Sequence, residues 1–596
     1  MASTRAVRRD AGISTYSTRL QPSIGNRGPI RSAPNAFTSS SLVGCPSEHI
    51  AECISETGGT GNIGLTSDQD DSGSTNLLQQ SATNEHPATK RGTRMTTEHY
   101  DLVITGGRVI DPETGLDALR NVGIVGDKIV AVTDGEIAGT ETIDATGHVV
   151  CPGFMDMHHH NAGYPFGQKL ALRDGVTTPM ELEMGVYPVK DWYDALDGKS
   201  RTNYGASVGS IPIRENVLNP DYTELFHGDM LLDALGDPKE SRTSMKWSKD
   251  HATPEQIEQF ERLIEEGLRE GSIGVGHAVG YMTAGCSQQE SVIVQRLAGK
   301  YGQSSFVHAR FSSQMAPTSG LLALFEMMAP QEVYGGGIVF QHMSAQTLRD
   351  TNTALELLDD ARAKGIHVLA ELYPYDYGAS VVCADYLVPE NYGPNMGRTY
   401  KEIIETSTLT PLTKDRYDEL VKTSPMTSIM FYNAQEADVL DGLAHPSSVV
   451  GSDAFPYTIR DTGKLAIDWD TAFDSVNGHP RGAGTHARML ALVREKKVDI
   501  PLSLAISKMT YMIADYLENN GVPQMANKGR IQAGKDADIT IFDPATVKDM
   551  ATMQDGGLPS TGIPCVLVNG TVMVKDSETV DEVFPGKPVR GSGTGS

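Results

Sequence analysis

The chain is short of positive charge, of paired cysteines and of long apolar runs, and each shortage excludes something. Its 596 residues hold 50 Lys and Arg against 76 Asp and Glu, a formal charge of −26 at pH 7. Nucleic acid and acidic membrane surfaces recruit proteins through basic patches, so neither is expected as a partner. The six cysteines, Cys45, Cys53, Cys151, Cys286, Cys383 and Cys565, are scattered and form no C-x-x-C pair. A disulfide framework or a cysteine zinc knuckle is therefore not expected, and a reducing, cytoplasmic setting is. No apolar run approaches the ~20 residues that a membrane helix needs. What remains is ordinary globular material, 39% hydrophobic and 21% charged, with ample chain for a large α/β core.

Residues 1–94 differ from the rest. They are rich in Ser, Thr, Gly, Asn and Pro, lack apolar periodicity, and are expected to be disordered. The first forty carry Arg5, Arg8, Arg9, Arg19, Arg27 and Arg31 against the single acid Asp10. That composition suits an organelle-targeting peptide; the acids Glu48, Glu52, Asp68, Asp70 and Asp71 that follow do not. The competing reading takes Met95 as the natural start.

From Tyr100 the pattern is that of short strands cut by glycine turns, as in Asp101-Leu-Val-Ile-Thr-Gly-Gly-Arg-Val-Ile110 and Lys128-Ile-Val-Ala-Val132. The far end mirrors it in Asp538-Ile-Thr-Ile-Phe542, Val566-Leu-Val568 and Thr571-Val-Met-Val574. A β-sandwich built from both ends, 95–150 and 526–590, is expected. Between them, 151–525 alternates apolar strands with amphipathic helices, such as 254–270 with Ile257, Phe260, Leu263 and Ile264 at helical spacing. Repeated βα units of this number predict a closed (β/α)8 barrel, interrupted by an irregular insertion over 378–446 on its catalytic rim.

A barrel collects its chemistry at the C-terminal ends of its strands. The first ends Pro152-Gly-Phe-Met-Asp-Met-His158-His159-His160, and residues two apart in a strand face the same way, so His158 and His160 point together into the mouth. A strand read as the third, from Val176, ends in Glu181 and Glu183. Later strands end in His308, His342 and Asp453. Four imidazoles and two or three carboxylates suit a divalent metal, with neutral nitrogens for zinc and carboxylate oxygens able to bridge two ions. Any one of these histidines alone reads as an ordinary hydrogen-bonded rim residue; their joint occurrence carries the metal reading.

These motifs give the sequence its resemblance. Over roughly residues 100–590 it resembles the amidohydrolase superfamily, and within it the N-acyl-D-amino-acid deacylase (D-aminoacylase) group. The resemblance rests on D-L-V-I-T-G-G-R-V-I-D-P at 101–112, P-G-F-M-D-M-H-H-H at 152–160, D-G-V-T-T at 174–178, Y-P-Y at 373–375, G-S-D at 451–453, H-P-R-G-A-G-T at 479–485 and G-K-D-A-D-I-T-I-F-D-P at 534–544. It implies a zinc-dependent hydrolase of small N-acyl-D-amino acids, with one or two zinc ions or another divalent metal. It implies His158, His160, His308 and His342 as ligands, and Asp453 as a ligand that also moves the proton after metal-activated hydroxide attacks the amide. Tyr281, Tyr375, His479 and Arg481 match substrate-pocket positions. Arg310 is the candidate for the substrate carboxylate, with a rim ion pair as its alternative. The group's bridging cysteine falls at Met184, so Glu183, or else Glu181, is expected to bridge. The group's lysine after the strand-six histidine is Ser344 here. A cyclic-amide hydrolase resembling dihydroorotase or hydantoinase is the alternative activity, and a catalytically dead scaffold a remote one. Oligomeric state is left open.

Overall fold

A computed structural model describes residues 99–219 and 245–593; the extension expected to be disordered, 1–94, lies outside the described residues. Eight parallel strands make the central sheet: β1 (Phe154–Asp156), β2 (Val176–Val186), β3 (Gly205–Gly209), β4 (Val275–His277), β5 (Ser304–Val307), β6 (Gly337–Phe340), β7 (Val368–Leu372) and β8 (Ser448–Val450). A parallel bridge from His159 to Ala454, with His160 N donating to Ala454 O at 2.9 Å, joins the segments that follow β1 and β8 and closes the barrel. The strand from Val176 is thus the second, not the third. The third, Gly205-Ala-Ser-Val-Gly209, is built of small residues and lacks the β-branched run that marks a strand in sequence.

The strands are buried on both faces, as parallel strands covered by helices must be. Inward, Met155, Met157, Met180, Leu182, Phe306, Val339, Leu369 and Val449 fill the barrel beside Ile513 and Leu517 of the helix Tyr511–Asn519. Outward, Phe154, Val208, Val275, Val307, Phe340, Ala370 and Val450 meet the helical ring. The helix Pro254–Arg269 shows the local logic. Thr253 and Gln256 form a reciprocal capping box, Pro254 opens the first turn, and Phe260, Leu263, Ile264 and Leu268 make the buried stripe.

A nine-stranded sheet unites the two ends of the described chain. Tyr100–Asp111 pairs antiparallel with Leu116–Val125, and Val149–Pro152 pairs antiparallel with Ile539–Phe542. Val149–Pro152 runs through Gly153 straight into β1, so this sheet sets where the barrel begins. The join is polar and buried. The Asp538 carboxylate accepts from Asn203 Nδ2 at 3.0 Å and from Asn569 N at 2.8 Å, and pairs with Lys528 Nζ at 2.7 Å.

After β7 the chain leaves the barrel to form a small antiparallel sheet from Tyr377–Val381, Ile403–Glu405, Thr410–Pro411 and Ser428–Tyr432. Tyr386, Tyr392, Ile403, Leu420, Met430 and Phe431 pack it against the barrel rim, in one cluster with Met184, Ile211, Tyr281 and Phe455. The expected insertion ran to 446, but the helix Glu436–Ala444 returns to the barrel and packs Val439 and Leu443 into the main core beside β8. Among the described residues no helix is long and apolar enough to cross a membrane.

Replacing Asp538 by Ala leaves Lys528 with Asp536 as its remaining anion and the buried Asn569 N–H without its acceptor, a change worth about 1–3 kcal/mol. A fall in the unfolding midpoint is expected in thermal or denaturant melts; an unchanged midpoint would show that the join does not depend on this pair.

Candidate metal centre

The centre starts from how β1 is held. Asp156 Oδ1 accepts from His158 N at 3.0 Å and from Ser452 N at 3.1 Å, tying the ends of β1 and β8 together. His158 Nδ1 meets Glu371 Oε2 at 2.9 Å, and His160 Nδ1 meets Glu181 Oε2 at 2.8 Å. With each ring held by Nδ1, both Nε2 atoms turn inward. His158 Nε2 lies 3.3 Å from Asp453 Oδ1 and 3.5 Å from Glu183 Oε2. His160 Nε2 lies 3.4 Å and 3.6 Å from the same two atoms. Zinc bonds of about 2.0–2.1 Å in a tetrahedron put neighbouring ligand atoms roughly 3.3–3.4 Å apart. The spacing therefore fits a shared cation, and His158 Nε2, fully buried, makes no hydrogen bond.

A second group lies on the other side of Glu183. Its Oε1 is 3.2 Å from His308 Nδ1 and 2.9 Å from His342 Nε2, and those two nitrogens are 3.0 Å apart. Glu183 thus offers one oxygen to each histidine pair, the arrangement a bridging carboxylate needs, while Glu181 supports His160 and accepts from Met184 N and Gly185 N. Gly185 makes the turn after Glu183 at φ +68°, where a Cβ would lie 2.6 Å from the Gly209 backbone. His342 and Asp453 also leave their strands in the left-handed region, at φ 32° and 52°. Such backbone is uncommon for non-glycine residues and is held here by the surrounding contacts.

The electrostatics agree in sign. Burial opposes charge on His158, but Asp453 and Glu183 outweigh it and hold its pKa well above the usual value. Burial opposes charge on His160 too, and Glu181 and Asp453 push it up to about 10. Glu183, which burial would raise, is held well below the ordinary range by His158 and by hydrogen bonds from the other rings. Asp453 is lowered against burial by Arg481 and His158. Burial and His342 lower His308. The carboxylates draw positive charge to the point where the rings converge. Imidazole nitrogens and carboxylate oxygens at this spacing are a fitting donor set for one or two divalent ions. His158, His160 and Asp453 form one group able to hold an ion, and His158, Glu183 and His342 another.

The remaining candidates separate. Tyr281 and Arg481 line a pocket over the centre together with Tyr373, Tyr386, Phe431 and Asn433. Arg481 grips Asp453 twice, through Nε to its carbonyl at 2.5 Å and Nη2 to Oδ1 at 2.8 Å. Arg310 does not line this pocket, contrary to expectation. Its Nε and Nη2 are taken by Glu326 and its Nη1 by the carbonyls of Thr283 and Cys286, which is the rim ion pair read as its alternative. Tyr375 and His479 also stand behind the pocket wall. His479 Nδ1 accepts from Arg481 N at 3.1 Å, and the Tyr375 ring packs on His479 and under Arg488. Sequence reasoning missed Glu371, although an acid inside the apolar run Val368-Leu-Ala-Glu-Leu372 is the mark that betrayed Glu181 and Glu183.

The chain is similar to the D-aminoacylase of Alcaligenes xylosoxydans xylosoxydans, 27% identical over 521 residues that cover 80% of this chain and 94% of that protein. It is equally similar, at 27% over 508 residues (79% and 93%), to the N-acyl-D-glutamate deacylase of the same organism. The chain is related to the D-aminoacylase group of the amidohydrolase superfamily. In fold it matches the N-acyl-D-glutamate deacylase of Bordetella bronchiseptica, a structure holding zinc and a phosphonate inhibitor, with a TM-score of 0.64 and 22% identity over 83% of this chain and all of that one. No family model matches the chain. The chain departs from the pattern that the resemblance implies at Met184, where a bridging cysteine is expected, and at Ser344, where a lysine is.

Glu371 orients His158 and also accepts from His342 N at 2.8 Å. Outer carboxylates of this kind are worth about 10–100-fold in metal affinity. Glu371→Ala is therefore expected to weaken zinc binding by that factor in competition with a chromogenic chelator; wild-type affinity would remove Glu371 from the centre.

Proposed function

We propose that the chain is a zinc-dependent amide hydrolase, with one or two ions, that cleaves small N-acyl-D-amino acids to a carboxylate and a free D-amino acid, and that it works in the cytoplasm. The observation that carries this reading is the placement of Asp453, whose one carboxylate touches His158, His160 and Arg481 at the floor of the pocket. His158, His160, Glu183, His308, His342 and Asp453 would hold the metal, with Glu183 as the bridge. A divalent ion there supplies Lewis acidity, which lowers the pKa of water and polarises an amide carbonyl.

The side chains supply the rest. Asp453 is kept ionised, the state in which it can take a proton from water. It then delivers that proton to the amide nitrogen, because an amine leaves poorly unless protonated. Water adds to the carbonyl carbon, the C–N bond breaks, and the products are one carboxylate and one amine. Tyr281 keeps its proton at neutral pH, since burial and nearby Glu183 and Asp453 raise its pKa. Its hydroxyl is a donor for the oxyanion that develops on the carbonyl oxygen. Arg481, buried at the pocket wall over the Tyr373 ring, is the cation for the substrate's carboxylate, the part first assigned to Arg310. His479 and Tyr375 then act by holding Arg481 and its surroundings in place.

Asp453→Asn should lower kcat by about 10²–10⁴-fold while the protein stays folded; turnover at the wild-type rate would remove the aspartate from proton transfer. Exhaustive chelation should abolish activity and zinc should restore it. In a panel of N-acyl-D-amino acids, N-acyl-L-amino acids and cyclic ureides, the D-amino-acid derivatives should be hydrolysed fastest. Preference for a cyclic ureide, or full activity after chelation, contradicts the reading.

A further inference from the structure

Arg310 plays no part in the chemistry above, yet every nitrogen of its buried guanidinium is engaged. Nε and Nη2 form a two-pronged pair with Glu326, at 2.8 and 2.7 Å, and Glu326 is itself held by Ser291 Oγ at 3.1 Å. Nη1 donates to the carbonyls of Thr283 and Cys286, both at 2.9 Å. An ion pair needs only the carboxylate. The two carbonyls belong to residues 278–287, between β4 and the helix Gln288–Lys300, and this segment carries Tyr281.

The segment has little regular structure of its own beyond one 3-10 turn, Val279–Met282. Such a turn has poor hydrogen-bond geometry and fixes little by itself. It is stitched instead to His308-Ala309-Arg310, the run that follows β5. Gly280 N donates to His308 O at 3.1 Å, and Thr283 Oγ1 donates to Arg310 O at 3.0 Å. Gly280 permits the close approach, since a Cβ there would lie 2.3 Å from the His308 ring. The Arg310 side chain then reaches back to the carbonyls beyond Tyr281 and closes the loop on itself. Held this way, Tyr281 packs on His308 with ring centroids 4.9 Å apart and lines the pocket over the centre. Ser380 Oγ donates to its phenol oxygen at 3.4 Å, which leaves the phenol's own proton for a ligand.

We infer that Arg310, braced by Glu326, is the positioning residue for Tyr281: it locks the segment so that the hydroxyl is already in place when an amide arrives. This rests on the amide-hydrolase reading, in which that hydroxyl donates to the developing oxyanion. A guanidinium suits the task, because its planar fork ties a carboxylate on one edge to two carbonyls on another in one rigid geometry, which an ammonium does not reproduce. Placement matters because a shift of about 1 Å in a catalytic group costs on the order of 10²-fold in rate.

The experiment is a double-mutant cycle on the zinc-loaded full chain, with kcat, KM and zinc content measured for one N-acyl-D-amino acid that the panel shows to be accepted. Tyr281→Phe should lower kcat by about 10²–10³-fold, the cost of one oxyanion donor. Arg310→Met should lower kcat by about 10²-fold. Its KM and zinc content should stay at the wild-type values, because a donor used only in the transition state changes kcat and kcat/KM alike. The double variant should be no slower than Tyr281→Phe alone, since a displaced segment then has no donor to misplace. Should Arg310→Met fail to fold, Glu326→Gln, which takes the charge from the brace and keeps its shape, replaces it in the cycle under the same criteria. Effects that multiply, lost zinc, or a wild-type kcat in any of the single variants used overturns the positioning role and leaves the amide-hydrolase reading standing. No turnover of any N-acyl substrate overturns both.

Discussion

Everything at the rim of this barrel depends on one buried carboxylate, Glu183, set among four imidazoles. Its two oxygens divide the rings into His158 with His160 and His308 with His342, at 2.9–3.6 Å. Isolated in an apolar interior such a carboxylate would be prohibitively costly. It is tolerable because positive charge is gathered around it, and the sequence supplies that charge from strands that lie far apart in the chain. Barrel closure is the means. The bridge from His159 to Ala454 fixes the ends of β1 and β8, and so brings Asp453 to the two leading histidines.

The ring of candidate ligands is itself held by a ring of acids. Glu371 and Glu181 fix the tautomer and direction of His158 and His160, and Asp156 fixes the backbone between them and Ser452. Arg481 restrains Asp453 through both its carbonyl and its carboxylate, and His479 restrains Arg481. The pocket is thus pre-set by contacts made before any substrate arrives, which is what electrostatic catalysis requires.

Much of this was legible in the sequence, for identifiable reasons. Apolar runs end where the candidate ligands begin, so His158, His160, His308, His342 and Asp453 could be placed at strand ends, and the structure brings all five together. Acids inside apolar strands mark Glu181 and Glu183, and the same rule applied to the strand before Tyr373 would have found Glu371. What was not legible was pairing at a distance. Nothing near Arg310 in the chain announces that Glu326, on the following helix, will take its guanidinium. The strand of small residues at 205–209 has no hydrophobic pattern to read. The helix at 436–444 has an amphipathic pattern that serves an insertion or a barrel equally well, and only its packing decides.

The central claim is that these six side chains converge on a divalent cation. X-ray absorption at the zinc edge of the purified, zinc-loaded protein tests it most directly. The account predicts nitrogen and oxygen ligation at about 2.0–2.1 Å with outer-shell scattering from imidazole rings and no sulfur neighbour. A spectrum without imidazole, or one with a zinc–sulfur distance of about 2.3 Å, would contradict it.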